Sequence, residues 1–288
     1  MSEQRSNAMQ SIHDSAQVGE GTTIGLFTIV EEGAVIGRDC QVGHHVVIRA
    51  DSIIGNGVRI DDYATVGKRP MKATNSATTR EIDLPAALVG DHCLIGTSAI
   101  VYRGAQIARH VLVADQATVR EQSSVGEYTI IGRGVAIENR VHVGANTKIE
   151  AGAYIASLSS IGDNCFIAPE VTVTNDNYLG RTEERRKHFK GITIRDDARV
   201  GANATLLPGR ILEEDSVAAA GSVVTRDVPA YTMVTGVPAR HYGIVPPDQW
   251  AKNQTDESDP DSFPIEKHAV VSARSDIQEN GITSREVA

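Results

Sequence analysis

Five polar residues, Arg103, Glu121, Asn139, Ser157 and Asn175, recur at intervals of eighteen. Lys68 joins the series once the irregular stretch after Val66 is counted as one repeat, and Arg120, Glu138 and Thr174 lie beside it. In a chain that winds regularly, residues returning with a fixed period stack on one another. A carboxylate near such a row can bind an ammonium group and receive its proton; the candidates are Asp115, Glu121, Glu138 and Asp176. An Asn side chain, Asn139 or Asn175, or a corner N–H can support an oxyanion. A group transfer that uses such residues also needs its substrates aligned. The other reading is a solvated corner whose Asn ladder satisfies turn amides. The irregular stretches at either end of the row favour a cleft.

The elements that must position these groups are read from a six-residue period. Aliphatic residues recur from Ile12 to Val66, from Val89 to Val173, and from Ile194 to Val224, giving 31 anchors with Ala218 the weakest. A strict six fits neither a helix nor a simple strand; it fits a short strand followed by a corner. Gly follows the anchor in 13 of the 31 repeats, where we expect the corner to need backbone freedom. Three repeats make a triangular coil, and coils stacked at about 4.8 Å form a prism. Every third anchor, Ile12, Val30, Ile48 and so on to Val224, defines one column. Gly follows only one of its eleven anchors, against twelve of the other twenty. That edge has its own chemistry, and both breaks leave from it.

The period resembles that of the hexapeptide-repeat acyltransferases, over residues 11–245. The resemblance implies an all-β fold, a left-handed parallel β-helix of about ten triangular coils with two loop excursions, 67–88 and 174–193. A polar C-terminal tail, 246–288, is expected to be disordered or loosely docked. The runs Gly201–Gly209, Val217–Pro229 and Gly236-Val237-Pro238-Ala239-Arg240 resemble the C-terminal coils of coenzyme-A-dependent members. There Ala202 and Ala220 would let a pantetheine arm lie against backbone amides, and Arg226 and Arg240 would meet the coenzyme's phosphates. Ala114–Glu121 resembles the run in which relatives acting on sugar nucleotides often carry a catalytic His; here Asp115 stands in its place. The reading that follows is that Asp115 or Glu138 orients the amine while the departing coenzyme thiolate takes the proton.

The resemblance thus implies a coenzyme-A-dependent N-acyltransferase, with acetyl-CoA as co-substrate and a nucleotide-linked amino sugar as acceptor. It also implies a homotrimer with active sites between subunits, in which Asp115 of one copy faces the polar row of the next. In the second excursion Asn175, Asp176, Asn177, Arg186 and His188 are candidate substrate ligands, the last two within a basic run suited to phosphate or carboxylate. The alternatives are an acyltransferase fed by acyl carrier protein and a non-enzymatic scaffold. A net charge of −9 disfavours docking of an acidic carrier, and equally a nucleic-acid surface.

Three cysteines, Cys40, Cys93 and Cys165, each four residues after an anchor, read as buried small side chains rather than a disulfide framework. His92 and His110 stack eighteen residues apart without a third His, so no metal is expected. No apolar run approaches the roughly 18 residues of a membrane span, and a cytoplasmic protein is expected.

Overall fold

The computed structural model describes residues 9–80 and 82–254. Short strands, mostly of two residues, wind into three sheets of eleven, ten and twelve strands. Pairing is parallel and in register between neighbouring coils, as in Thr118 with Ala136 and Val119 with Ile137. Each of the 31 aliphatic anchors is the second residue of a strand. From Val30 onward they are buried, Ile48, Ile131 and Ile137 completely, so the interior is a stack of β-branched side chains. Backbone donors and acceptors of each coil are satisfied by the coils above and below. The molecule is an all-β parallel β-helix with three faces.

The first face runs from Ser11–Ile12 to Val223–Val224 and contains the column singled out above. The third face reaches twelve strands rather than about ten. Thr232–Thr235 extends it after the six-residue period has ended, and Arg240–Ile244 folds back antiparallel on that strand. Neither strand carries the repeat, so counting anchors misses both. Residues 247–249 and 251–253 form single 3-10 turns, with Trp250 tilted against Tyr231 at 4.9 Å. The remainder of the tail, from 255, lies outside the described residues.

The glycines after anchors need a different explanation from the one expected. Of the thirteen only Gly67 has a positive φ; the left-handed corner residue sits two places later and is His92, Gln122, Tyr128 or Arg140 as readily as Gly. Close stacking is the cause. A Cβ on Gly37 would come within 2.5 Å of the Gly55 carbonyl carbon, and one on Gly90 within 2.7 Å of that of Ala108. At the edge between the first and second faces the equivalent positions carry Glu31, Arg49, Tyr102, Arg120 and Glu138, side chains that project from the prism.

The slot four residues after an anchor carries a bonding ladder. Thr147 Oγ1 donates to the Gly162 carbonyl at 2.8 Å and accepts from the Cys165 N–H at 3.0 Å. The cysteine thiols donate in the same way, Cys93 to Ala108 at 2.9 Å and Cys165 to Arg195 at 3.1 Å. Burial pushes the Cys93 thiol up to about 11 and that of Cys165 to about 12, so both stay protonated at neutral pH. All three cysteines are free and buried.

Candidate active site

Both excursions leave the prism at the edge between the first and second faces, and the polar row lies on that edge between them. Glu121, Asn139 and Ser157 are almost wholly buried there. Ser157 Oγ donates to Asn139 Oδ1, and Asn175 Nδ2 reaches the Ser157 carbonyl at 3.5 Å. Asn139 Nδ2 donates in turn to the Thr78 carbonyl at 3.0 Å. A hydrogen-bonded file therefore joins the two excursions. Asn139 uses both ends of its amide in this file, whereas Asn175 Oδ1 has no partner among the described residues.

Arg120 is the hub of the row. Its Nε and Nη2 hold the two oxygens of Glu121 at 3.1 and 2.8 Å, its Nη1 holds Glu138 Oε2 at 2.9 Å, and Nη2 also reaches Thr79 Oγ1 at 2.9 Å. Burial works against the guanidinium charge, but the two carboxylates outweigh it and raise its pKa. Two carboxylates share the Arg120 cation, and the free valence belongs to Glu138, whose Oε1 has no partner among the described residues. Tyr102 lies under this group, with Lys68 Nζ 5.2 Å and Arg120 Cζ 5.5 Å from its ring centroid. Tyr154 is nearby, its phenol pKa raised by burial and then by the Glu138 charge, so it is a donor at neutral pH.

The first excursion is fastened to three successive coils. Arg103 Nε donates to the Leu84 carbonyl at 2.8 Å, Arg120 holds Thr79, and Asn139 holds Thr78. A cavity of about 170 Å³ remains beneath it, lined by Thr78, Arg80, Glu121, Asn139 and Arg140 among others. The second excursion folds around Asp176, whose carboxylate accepts from the Tyr178 N–H at 2.8 Å and the Gly180 N–H at 2.9 Å, and pairs with Arg185 at 3.3 Å. Desolvation pulls the Asp176 pKa up, but the amides of Gly180 and Tyr178 and the Arg185 charge prevail and hold it below the usual carboxylate range. Asn177 is exposed. Arg186 pairs with Glu183 at 3.0 Å, and His188 lies 3.2 Å from Glu184, so the basic run is matched by acids of its own loop.

Asp115 lies on another edge, between the third and first faces. Its Oδ1 accepts from the Thr97 N–H at 2.9 Å, one coil below. Asp62, Asp91, Asp163 and Asp196 do the same for the N–H groups of His44, Asn56, Ala145 and Asp163. Within one chain Asp115 is a member of this turn-capping series and does not meet Glu138 or Asn139. Ala202 and Ala220 stack on that same edge, where the Gly221 N–H bonds the Ala202 carbonyl at 2.8 Å. Arg226 and Arg240, by contrast, line a cavity of about 180 Å³ at the top of the first face, with Pro229 and Ala239. The structure therefore brings Glu121, Glu138, Asn139 and Asn175 together and sets the two small residues apart from the two arginines.

Thr78, Thr79, Tyr102 and Tyr154 were missed in the sequence. The tyrosines had a signal: they flank first-face anchors, in a chain with only 7 Tyr. The threonines had none, because their place depends on how an aperiodic segment folds back.

Comparison with known proteins agrees with this architecture. The bacterial transferase hexapeptide model (six repeats) matches residues 33–68 and 140–175, and the hexapeptide repeat of succinyl-transferase matches 191–226. Galactoside O-acetyltransferase of Escherichia coli (strain K12) is 32% identical over 107 residues, 35% of this chain and 53% of that protein. A dTDP-3-amino-3,6-dideoxy-alpha-D-galactopyranose 3-N-acetyltransferase of Aneurinibacillus thermoaerophilus is 42% identical over 57 residues, 20% of this chain and 30% of the relative. The chain thus spans about half the length, or less, of these curated relatives. The crystal structure of Arabidopsis UDP-N-acetylglucosamine acyltransferase aligns with a TM-score of 0.55 at 14% identity, over 82% of this chain and 73% of that one, a likeness of fold. The chain thus carries, on a parallel β-helix, stretches similar to the hexapeptide repeats of bacterial transferases, at residues 33–68, 140–175 and 191–226.

Proposed function

We propose that the chain is a coenzyme-A-dependent N-acetyltransferase whose acceptor is the amine of a nucleotide-linked amino sugar. The relatives named acetyltransferases support the reaction class, and the one named for a dTDP-linked amino sugar supports the acceptor. The observation that carries the reading is the unpartnered Oε1 of Glu138, beside the Arg120–Glu121 pair at the edge between the two excursions. An ammonium group is the natural occupant of that valence. Glu138 accepts one proton from it, and the freed amine attacks the thioester carbonyl. The C–N bond forms, the C–S bond breaks, and the departing thiolate takes the second proton from nitrogen, leaving an amide and a free thiol. Tyr154 and the Asn175 amide are the donors available to the oxyanion. Glu121, with both oxygens on Arg120, is a positioning residue, and Asn139 holds the first excursion.

The acyl donor is assigned to the cavity lined by Arg226 and Arg240, whose exposed guanidinium groups suit a coenzyme's phosphates. In the homotrimer we infer, a second copy would bring its Asp115 edge toward this site.

Thiol release measured with acetyl-CoA and a panel of sugar nucleotides tests the reading. Turnover is expected with an amino sugar and not with its hydroxyl analogue, and Glu138→Gln should lower kcat/KM by about 100-fold. Turnover with the hydroxyl analogue alone, or an undiminished rate in the variant, would overturn it.

A further inference from the structure

The two excursions treat their positive charges differently. In the second, the run Arg185, Arg186, Lys187 and His188 faces acids of the same loop, and only Arg181 and Lys190, outside that run, have no ion-pair partner among the described residues. In the first, Arg69 and Lys72 have no hydrogen-bond or ion-pair partner among the described residues, and Lys68 has only the Tyr102 ring. These groups face a hollow. One cavity of about 280 Å³ is lined by Arg69, Lys72, Arg80 and Arg103, with Asp83 the one acid among the described lining residues and Ile82 and Leu84 as apolar wall. A second, of about 290 Å³, shares Arg69 and Arg103 and adds Lys68 and Arg49. Arg49 is neutralised by Glu31, and Arg103 by Asp51.

The fold imposes this geometry. The excursion leaves at Gly67, at φ +84°, where a Cβ would run into Ser52 Oγ and Arg49 Cβ. It returns through Leu84, buried and gripped at its carbonyl by Arg103. Between these ends Arg69, Lys72 and Arg80 are exposed to solvent and line the hollow at the prism edge. In a chain of net charge −9, cations without an acidic partner among the described residues, gathered around two adjoining hollows, make a local well for a polyanion. Two adjoining subsites fit two linked phosphates, and the apolar wall fits the organic group attached to them.

We propose that the first excursion, not the second, holds the diphosphate of the acceptor, between Arg69, Lys72 and Arg80; this rests on the acyl-transfer reading above. Distance supports the assignment. Arg80 and Ile82 line both the 280 Å³ cavity and the 170 Å³ cavity that contains Glu121 and Asn139. From the Arg103 coil to the Asn139 coil is two coil steps, about 10 Å. That is about the reach of a hexose between its anomeric phosphate and an amine on the far side of the ring.

Coenzyme A also carries a diphosphate, so the test separates the two sources. Binding of inorganic pyrophosphate, of UDP and of coenzyme A is measured by calorimetry on the full chain. The proteins are the wild type, Arg69→Gln/Lys72→Gln, and Lys148→Gln as a remote exposed cation. Arg69 and Lys72 are exposed, so the double variant keeps the fold, checked by its circular dichroism. The expected result is a loss of at least about tenfold for pyrophosphate and UDP in the double variant. Coenzyme A changes by less than about twofold, and Lys148→Gln changes nothing. Unchanged pyrophosphate binding, or none by the wild type at millimolar concentration, overturns the proposal. An equal loss for coenzyme A overturns the assignment to the acceptor. The two readings fail separately: selective loss of UDP in a protein that releases no thiol with any amino sugar refutes acyl transfer and upholds the anion site. Unimpaired turnover with a sugar nucleotide in the double variant refutes the site alone.

Discussion

Arg120 holds two carboxylates, and one of them, Glu121, has a side chain only 4% exposed. A buried carboxylate deprived of its cation is costly, and breaking such a pair usually costs about 3–5 kcal/mol. Arg120→Met should therefore lower stability by about 3 kcal/mol, and Glu121→Gln placed in the same chain should restore most of it, since the double variant leaves only the partly exposed Glu138 without its cation. Denaturant unfolding of the four proteins measures this; an Arg120→Met variant within about 1 kcal/mol of the wild type would mean that Glu121 does not depend on this cation. At this scale the sequence was only partly legible. Glu121, Asn139 and Asn175 were placed on one edge because stacking follows from an eighteen-residue return. Which carboxylate keeps a free oxygen was not legible, because that depends on the direction of the Arg120 fork. Asp115 was singled out through a resemblance, yet Asp62, Asp91, Asp163 and Asp196 occupy the same slot two residues after an anchor. That recurrence, visible in the sequence, already points to turn capping.

Among the elements, the strands were legible and the excursions were not, for one physical reason. A strand in this prism is fixed by its own anchor and by neighbours at a constant separation, so a local pattern determines it. An excursion is fixed by a few side chains reaching it from the scaffold, and no period records them. The second excursion depends on Asp176, whose carboxylate gathers two N–H groups and Arg185. Because the folded loop holds this pKa below the usual 3.8, its stabilisation is complete above that value and is lost as pH falls toward the depressed one. Pepsin cleavage at the highly exposed Leu179, normalised to a reference peptide, should rise steeply between about pH 4 and pH 2. Asp176→Asn should be cut readily and with little pH dependence across that range. Identical profiles for the two proteins would show that the loop is ordered by something other than this carboxylate.

Taken as a whole, the molecule is a one-dimensional stack, and its two ends are unlike. Each coil touches only its neighbours, so local stability depends on whether a coil has a partner on both sides. At the upper end Arg240–Ile244 folds over Thr232–Thr235, Val245 is completely buried, and Trp250 closes against Tyr231 while its indole N–H bonds the Val245 carbonyl at 2.9 Å. At the lower end the described residues offer no such cover: Ile12 and Val18, core anchors by position, are 40% and 39% exposed, and burial becomes complete only near Val30. Opening should therefore begin at the base and travel upward, since each lost coil exposes the next. Hydrogen exchange followed by mass spectrometry should show the strand amides of residues 11–24 exchanging first. Those of 29–60 should follow in order, and those of 131–167 last, with the upper end slower than the lower at equal distance from the centre. Trp250→Ala should remove that asymmetry by freeing the top coil, leaving the centre unchanged. Exchange that proceeds at one rate along the whole prism would mean that the stack unfolds as a single cooperative unit, and that the closure at the top has no part in where it opens.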